Sequence, residues 1–247
     1  MTFREHLSGS SGVLASHAAP PTVFVIDPDL SVRNSLQLLI SRAGWRLRIL
    51  VSAEEFIVQP TLAGPCCLVS DLRLPGLSGL ELQARLAAQP DIPLIFLASH
   101  FDVSMTVRAM KAGAVDILVK PFSEDTLLAA IRQGLERSRV ALDHQMELRD
   151  VRYCYDSLSS REQQVMALVV SGLLNKQIAG RLGIAEITVK RHRGRVMRKM
   201  GADSLPVLVH IGATLGLARP QRRNRLWEWS GSSSAVRTVG SPLQMGA

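Results

Sequence analysis

The sequence is poor in aromatic residues: Phe, Trp and Tyr make up 4% of its 247 residues. Surfaces that stack single-stranded nucleic acid depend on such rings, so that class of partner is disfavoured. Cysteine is also scarce. Cys66 and Cys67 are adjacent, and Cys154 stands far away. No CxxC or Cys/His ligand spacing occurs, which argues against a zinc site and a disulfide framework. Inert thiols in a reducing cytosol are expected. No apolar run approaches the ~20 residues of a membrane-spanning helix. The opening residues, MTFREHLSGSSGVLASHAAPP, lack the apolar centre of a signal peptide. The expectation is a cytoplasmic protein with no membrane partner. Acids are the minority charge, 21 Asp and Glu against 29 Lys and Arg, for a net charge of +8. That excess suggests a polyanionic partner.

What is present suffices for one large or two modest cored domains, with 47% hydrophobic residues. Residues 1–20 are rich in Ser, Gly, Ala and Pro and read as a disordered arm. Thr22 to Ile26 (TVFVI) reads as a buried strand. A helix is expected from Ser31 to Ala43, with Val32, Leu36, Leu39 and Ile40 on one face and Gly44 ending it. Leu47–Leu50 is a weak strand, and a short helix begins at Glu54. Cys67–Ser70 is a third strand ending at Asp71, followed by a loop marked by Pro75, Gly76 and Gly79 that enters a helix. Pro93–Ala98 is a fourth strand, Val103–Ala112 a helix, and Val115–Val119 a fifth strand before Lys120-Pro121. A helix from Ser123 to about Val140 carries Leu127, Leu128, Ile131 and Leu135.

Five short apolar strands alternating with helices predict a parallel sheet covered on both faces. The right-handed crossover rule then leaves doubly wound topologies. Ligands in such sheets bind at the carboxyl ends of the strands. Asp27, Asp71, Ser99 and Lys120 fall there. A carboxylate at a strand end can accept a phosphoryl group. A second acid can hold Mg²⁺, and a lysine opposite can pair with the new phosphate. Each residue alone is ordinary; the three in order are not. No Gly-rich phosphate loop and no nucleophile–base pair is present, so an enzyme with metabolic turnover is not expected.

The stretches SDLRLPGLSGLEL and HFDVSMTVRAMKAGAVDILVKPF resemble the receiver domain of two-component response regulators, close to the FixJ-like branch. The resemblance covers about residues 22 to 140. It implies a flavodoxin-like fold with strand order 2-1-3-4-5 and a cis bond at Lys120-Pro121. It also implies that Asp71 is the phospho-acceptor and Lys120 the phosphate-pairing lysine, with Asp27 and Asp71 at an Mg²⁺ site. The sequence departs from this pattern in three places. Pro28 stands where the family has its second metal-site acid, and proline offers neither carboxylate nor N–H. Asp29 comes next, but a proline-fixed turn need not aim it at the metal. Ala98 stands at the hydroxyl switch position, with Ser99 after it. Ile117 stands at the aromatic switch position. The metal site is therefore expected to be weak and the switch degenerate.

Residues 141–157 are polar and read as a helix extension and linker. From about Leu158 to Leu217 four short helices are expected. Ser159 and Glu162 have capping-box spacing at the first. Asn175–Leu182 is the second, Gly183-Ile184-Ala185 a turn, Glu186–Met200 the third and Leu205–Leu215 the fourth. Ile178, Ala179, Leu182, Ile184, Val189, Val196 and Met200 have core spacing. The helix after the turn carries Lys190, Arg191, His192, Arg193, Arg195, Arg198 and Lys199. Cations this dense repel one another and call for a polyanion. The stretch from LSSREQQ to SLPVLV resembles the LuxR/FixJ-type helix-turn-helix domain over nearly its whole length. By that resemblance Lys190, Arg191 and Gly194 approach base edges, and Lys176, Thr188, Arg193 and Arg198 contact phosphates. Residues 218–247, including RPQRRNR, read as a basic, disordered tail.

The expected function is sequence-specific binding of duplex DNA to regulate transcription, as a homodimer on paired half-sites. Two inputs remain open: phosphorylation of Asp71 by a sensor histidine kinase, or a phosphate-independent receiver serving dimerisation or the sensing of a ligand or partner.

Overall fold

The computed structural model describes residues 20–59, 64–100 and 102–217. The expected arm up to residue 19 and tail 218–247 lie outside the described residues. The elements run β1 (Thr22–Ile26), α1 (Leu30–Arg42), β2 (Arg46–Leu50), α2 (Ala53–Ile57), β3 (Cys66–Asp71), α3 (Gly79–Leu86), β4 (Leu94–Ala98), α4 (Val103–Lys111), β5 (Asp116–Val119) and α5 (Glu124–Asp156). Four further helices follow: α6 (Ser160–Val170), α7 (Asn175–Leu182), α8 (Glu186–Lys199) and α9 (Leu205–Thr214). The five strands form one parallel sheet in the order β2-β1-β3-β4-β5, as expected.

Alternation along each strand divides the core in two. Phe24, Ile26, Leu68 and Phe96 face α2, α3 and α4. Val23, Val25, Val69 and Ile95 face α1 and α5. Both faces are thus buried, and β3 has no exposed residue. β2 lies at the sheet's margin, and Arg46 and Arg48 are exposed there. Charged side chains on a marginal strand discourage edge-to-edge pairing. Helices α1 to α6 start at polar caps: Asp29, Ser52, Ser78, Asp102, Ser123 and Ser159 each accept a main-chain N–H. At Ser78 and Ser159 the cap is reciprocal, through Glu81 and Glu162.

α5 runs on through the stretch expected as a helix extension and linker. The stretch 141–156 continues the helix begun at Glu124, for 33 residues in all. Its first half packs Leu127, Ile131 and Leu135 on the sheet. Its end delivers Val151, with Cys154 and Tyr155, to the core formed by α6 to α9. Between them Ser138 is fully buried; its hydroxyl accepts the Cys66 N–H at 3.0 Å and donates to the Asp91 carbonyl at 2.6 Å. Burial pushes the Cys66 thiol up to about 12 and raises that of Cys67 as well. Two of the expected inert thiols are therefore buried on opposite faces of the sheet, Cys67 under α5, while Cys154 is half-buried.

Gly134 lets α5 sit this close. A methyl group there would lie 2.6 Å from the Cys67 Sγ and 3.5 Å from its Cβ. Gly134→Ala is expected to lower receiver stability by about 1–3 kcal/mol through overpacking. Adding Cys67→Ala should restore part of that loss, because only the sulfur clashes. Urea unfolding of the two variants, followed by circular dichroism, checks this; a double variant no more stable than Gly134→Ala would refute it.

Candidate functional site

Three strand ends bring the acids and the lysine together. Asp27 follows β1, Asp71 ends β3 and Lys120 follows β5. The Lys120 Nζ lies 2.6 Å from Asp27 Oδ2 and 2.6 Å from Asp71 Oδ2. The remaining oxygens are also occupied: Asp27 Oδ1 accepts the Asp29 N–H and Asp71 Oδ1 accepts the Arg73 N–H, both at 2.8 Å. Asp27 is 1% and Asp71 4% exposed, so neither carboxylate can rely on water. Burial, the largest single influence on Lys120, pulls its pKa down; the hydrogen bonds and charges of Asp27 and Asp71 outweigh it, and the pKa rises. The Lys120-Pro121 bond is cis.

Sequence reasoning missed Arg33. Its guanidinium donates from Nη1 to the Asp27 carbonyl at 2.7 Å and to the Pro28 carbonyl at 3.2 Å. The only available cue was its place one turn into α1, since a carbonyl acceptor leaves no trace in residue type. Asp29 is committed elsewhere. Its carboxylate caps α1 on the Ser31 N–H and hydroxyl, and those bonds hold its pKa below the ordinary carboxylate range. The donor set therefore offers Mg²⁺ two carboxylates, Asp27 and Asp71, each already on Lys120, with Pro28 supplying no side-chain oxygen. Mg²⁺ is commonly held by one or two protein carboxylates and keeps several waters, so this set fits the ion.

At the two positions where a switch was expected, Ala98 carries no hydroxyl and Ile117 no ring. Ala98 ends β4, buried, and its carbonyl accepts the Lys120 N–H at 2.8 Å. Ser99 is exposed beyond it. Ile117 on β5 packs against the α2–α4 side of the core.

The second set of residues lies on α7 and α8. Gly183 closes α7 at φ +64°, a conformation that favours glycine, and turns the chain into α8. α8 buries Val189 and Val196 against α6 and α7. Lys190, Arg191, Gly194 and Arg198 stand exposed on its outer side. Lys190 is 3.5 Å from the exposed Glu186, a weak pairing. Arg193 and Thr188 are half-buried, and Arg193 donates to the Asn175 side chain at 3.3 Å, beside the start of α7. Lys176 is exposed in that same first turn. Lys199 does not belong to this set. It turns inward, 2.7 Å from Glu162 and 3.1 Å from the Ser157 carbonyl. Arg161 likewise donates to the Leu182 carbonyl at the end of α7.

A five-stranded parallel sheet with an acid–lysine cluster at its carboxyl edge defines a receiver, and the helices beyond it define a helix-turn-helix output unit. Residues 23–132 match the family described as response regulator receiver domain, and residues 156–212 that of the bacterial regulatory proteins, luxR family. Nodulation protein W of Bradyrhizobium diazoefficiens is 47% identical over 79% of this chain and 87% of its own length. The transcriptional regulatory protein FixJ of Rhizobium meliloti is 40% identical over 79% and 96%. The solved structure of the response regulator StyR is similar with a TM-score of 0.68 and 46% identity, covering 79% of this chain and 99% of that one. The chain belongs to the response-regulator transcription factors that join a receiver to a LuxR-type DNA-binding domain. These are regulators rather than enzymes. A receiver implies interaction with a kinase, and a LuxR-type domain implies DNA binding. Receiver domains generally bind Mg²⁺ at the phosphorylation site. Among the described residues no helix is long and apolar enough to cross a membrane.

The Glu162–Lys199 pair joins the first and third helices of the output unit. Glu162 is 3% exposed. The Lys199 ammonium, then the Ser159 N–H, pull its pKa from the ordinary 4.5 down to about 2. A lowered carboxylate pKa stabilises the fold above the unfolded value, and that contribution fades as pH falls from about 4.5 towards 2. Lys199 is partly exposed, so water screens the pair and the effect is put at about 1–2 kcal/mol. Glu162→Gln should lose this increment at pH 7 and show a flatter acid limb. Unfolding titrations of both proteins between pH 7 and 2.5 measure it; parallel limbs would remove the pair from the stability account.

Proposed function

We propose that this chain binds duplex DNA sequence-specifically as a homodimer in the cytoplasm, and that operator binding does not require phosphorylation of Asp71. Residues 21–140 act as the receiver-like unit and 158–217 as the DNA-binding unit, with a helical linker between them. The observation that carries the reading is the combination of a fully formed α8 face with an interrupted relay. Lys190, Arg191 and Gly194 are exposed together for base edges. Lys176 and Arg193 flank the positively polarised start of α7, where phosphates bind well; Thr188 and Arg198 complete the backbone contacts.

In the receiver, a phosphate on Asp71 would find no hydroxyl on Ala98 and no ring on Ile117 to draw inward. A ligand with equal contacts in two states shifts neither, however tightly it is held. The exposed Ser99 does not occupy the buried strand end that Ala98 fills. A second reading has a sensor histidine kinase phosphorylate Asp71 to control DNA binding. The intact Asp71–Lys120 contact favours it, since an acceptor and a phosphate partner stand 2.6 Å apart.

One titration separates the two. Operator affinity and sedimentation are measured for wild type and Asp71→Asn, each with and without beryllofluoride and Mg²⁺. The proposal expects all four affinities to agree within about threefold. A gain of about tenfold, near 1.4 kcal/mol, that is abolished in Asp71→Asn would establish the kinase-controlled reading instead.

The metal site has its own test. When bound, Mg²⁺ would neutralise phosphoryl oxygens at Asp71. Asp27 and Asp71 would hold it; Lys120 keeps both acids in place. Pro28→Asp restores an oxygen donor and should tighten Mg²⁺ binding by about tenfold, read by isothermal titration calorimetry. Equal affinities would mean that another oxygen already fills the place.

A further inference from the structure

The outward face of α8 holds one residue that the charge-based reading leaves out. Ile187 lies three, four, seven and eleven residues before Lys190, Arg191, Gly194 and Arg198. At helical spacing these five share one side, opposite the buried Val189 and Val196. Ile187 is 68% exposed. A single exposed isoleucine is ordinary on a protein surface. Here two further features give it meaning.

The first is Gly194. It sits inside the 14-residue α8, where glycine costs about 1 kcal/mol relative to alanine. A methyl group built on it would meet nothing within 4 Å. No contact among the described residues requires glycine there. A surface that approaches α8 from outside would, so the face that carries Ile187 is the one that comes close to a ligand. The second is the company it keeps. Ile187 is the apolar member of a face otherwise made of cations and glycine, and it lies in the first turn of the helix. In helix-turn-helix proteins the start of this helix meets base edges in the major groove. Among the groups on those edges, the thymine 5-methyl is the apolar one.

The structure assigns Ile187 as a specificity-determining residue that packs against a thymine methyl. The assignment rests on the reading of α8 as the recognition helix. Three residues of helix advance about 4.5 Å, and one base pair about 3.4 Å. The thymine therefore lies within a few base pairs of the base met by Lys190 or Arg191. Ile187 adds no charge and no hydrogen bond; it selects thymine over cytosine by shape and apolar contact.

The test begins with an operator selected by the full chain from a random duplex pool. Each thymine is then replaced singly by deoxyuridine, which keeps every hydrogen-bonding group and lacks only the methyl. At one position per half-site, uracil should weaken wild-type binding by about three- to tenfold. Ile187→Ala should bind the thymine and uracil duplexes equally, and its core is untouched because Ile187 is exposed. A scan with no sensitive position, or a uracil penalty that persists in Ile187→Ala, overturns the assignment. A Lys190→Ala/Arg191→Ala double variant keeps the two levels apart. If it loses the operator while the uracil scan is flat, Ile187 alone is wrong. If it binds the operator as wild type does, the recognition helix itself is misassigned and the inference falls with it.

Discussion

The central strands of a parallel sheet, buried on both faces, leave charge nowhere to go but their ends. Every inward residue of β1, β3 and β4 is apolar or, like Ser70, bonded to main chain. The turn at the carboxyl edge is where main-chain N–H groups are unpaired by the ladder and can meet carboxylates. Asp27 and Asp71 use the N–H groups of residues two further on, and Lys120 serves both acids at once. One ammonium against two buried carboxylates leaves a residual negative charge. Neither acid could be held this far from water without that shared cation, so the site, the turns after β1 and β3 and the approach of β5 stand or fall together.

The order of elements was legible because period-two and period-3.6 patterns are strong in short, well-buried segments. The site was legible for a related reason: strand ends are marked by the last apolar residue, so Asp27, Asp71 and Lys120 announce themselves by position. Contacts across long stretches of chain were not legible. Glu162 and Lys199 are read separately as a capping acid and one of the many cations of the third helix, and nothing local says that they pair. Where α5 ends was not legible, because the polar run after Val140 has no continuous apolar stripe and fits a helix extension or a linker alike. It stays helical for reasons of a different kind: no Gly or Pro from 139 to 157, good helix formers, and Arg139 paired with Glu136 and Asp143 one turn to either side.

The two units carry different kinds of information in their departures from pattern. In the receiver, the altered positions Pro28, Ala98 and Ile117 each fit their surroundings: Pro28 precedes a well-made cap at Asp29, Ala98 is buried, and Ile117 packs on the core. The fold accommodates each of the three side chains. In the output unit the odd features point outward: a helix-interior glycine with open space around it and an isoleucine left in water beside cations. Those are costs in the free chain, and they make sense on a surface shaped for something else.

The 33-residue α5 also changes what kind of connection joins the two halves. A flexible tether sets only a maximum distance, and its length can drift with little consequence. A continuous helix of about 50 Å fixes an angle as well, because each residue turns it by about 100° and advances it 1.5 Å. Residues 139–150 therefore act as a phase, not a reach. A one-residue insertion would swing the helix-turn-helix round the axis, whereas seven residues would nearly restore its bearing. Chain length in this stretch is set by the helical repeat, much as the spacing of binding sites along DNA is set by the turn of the duplex.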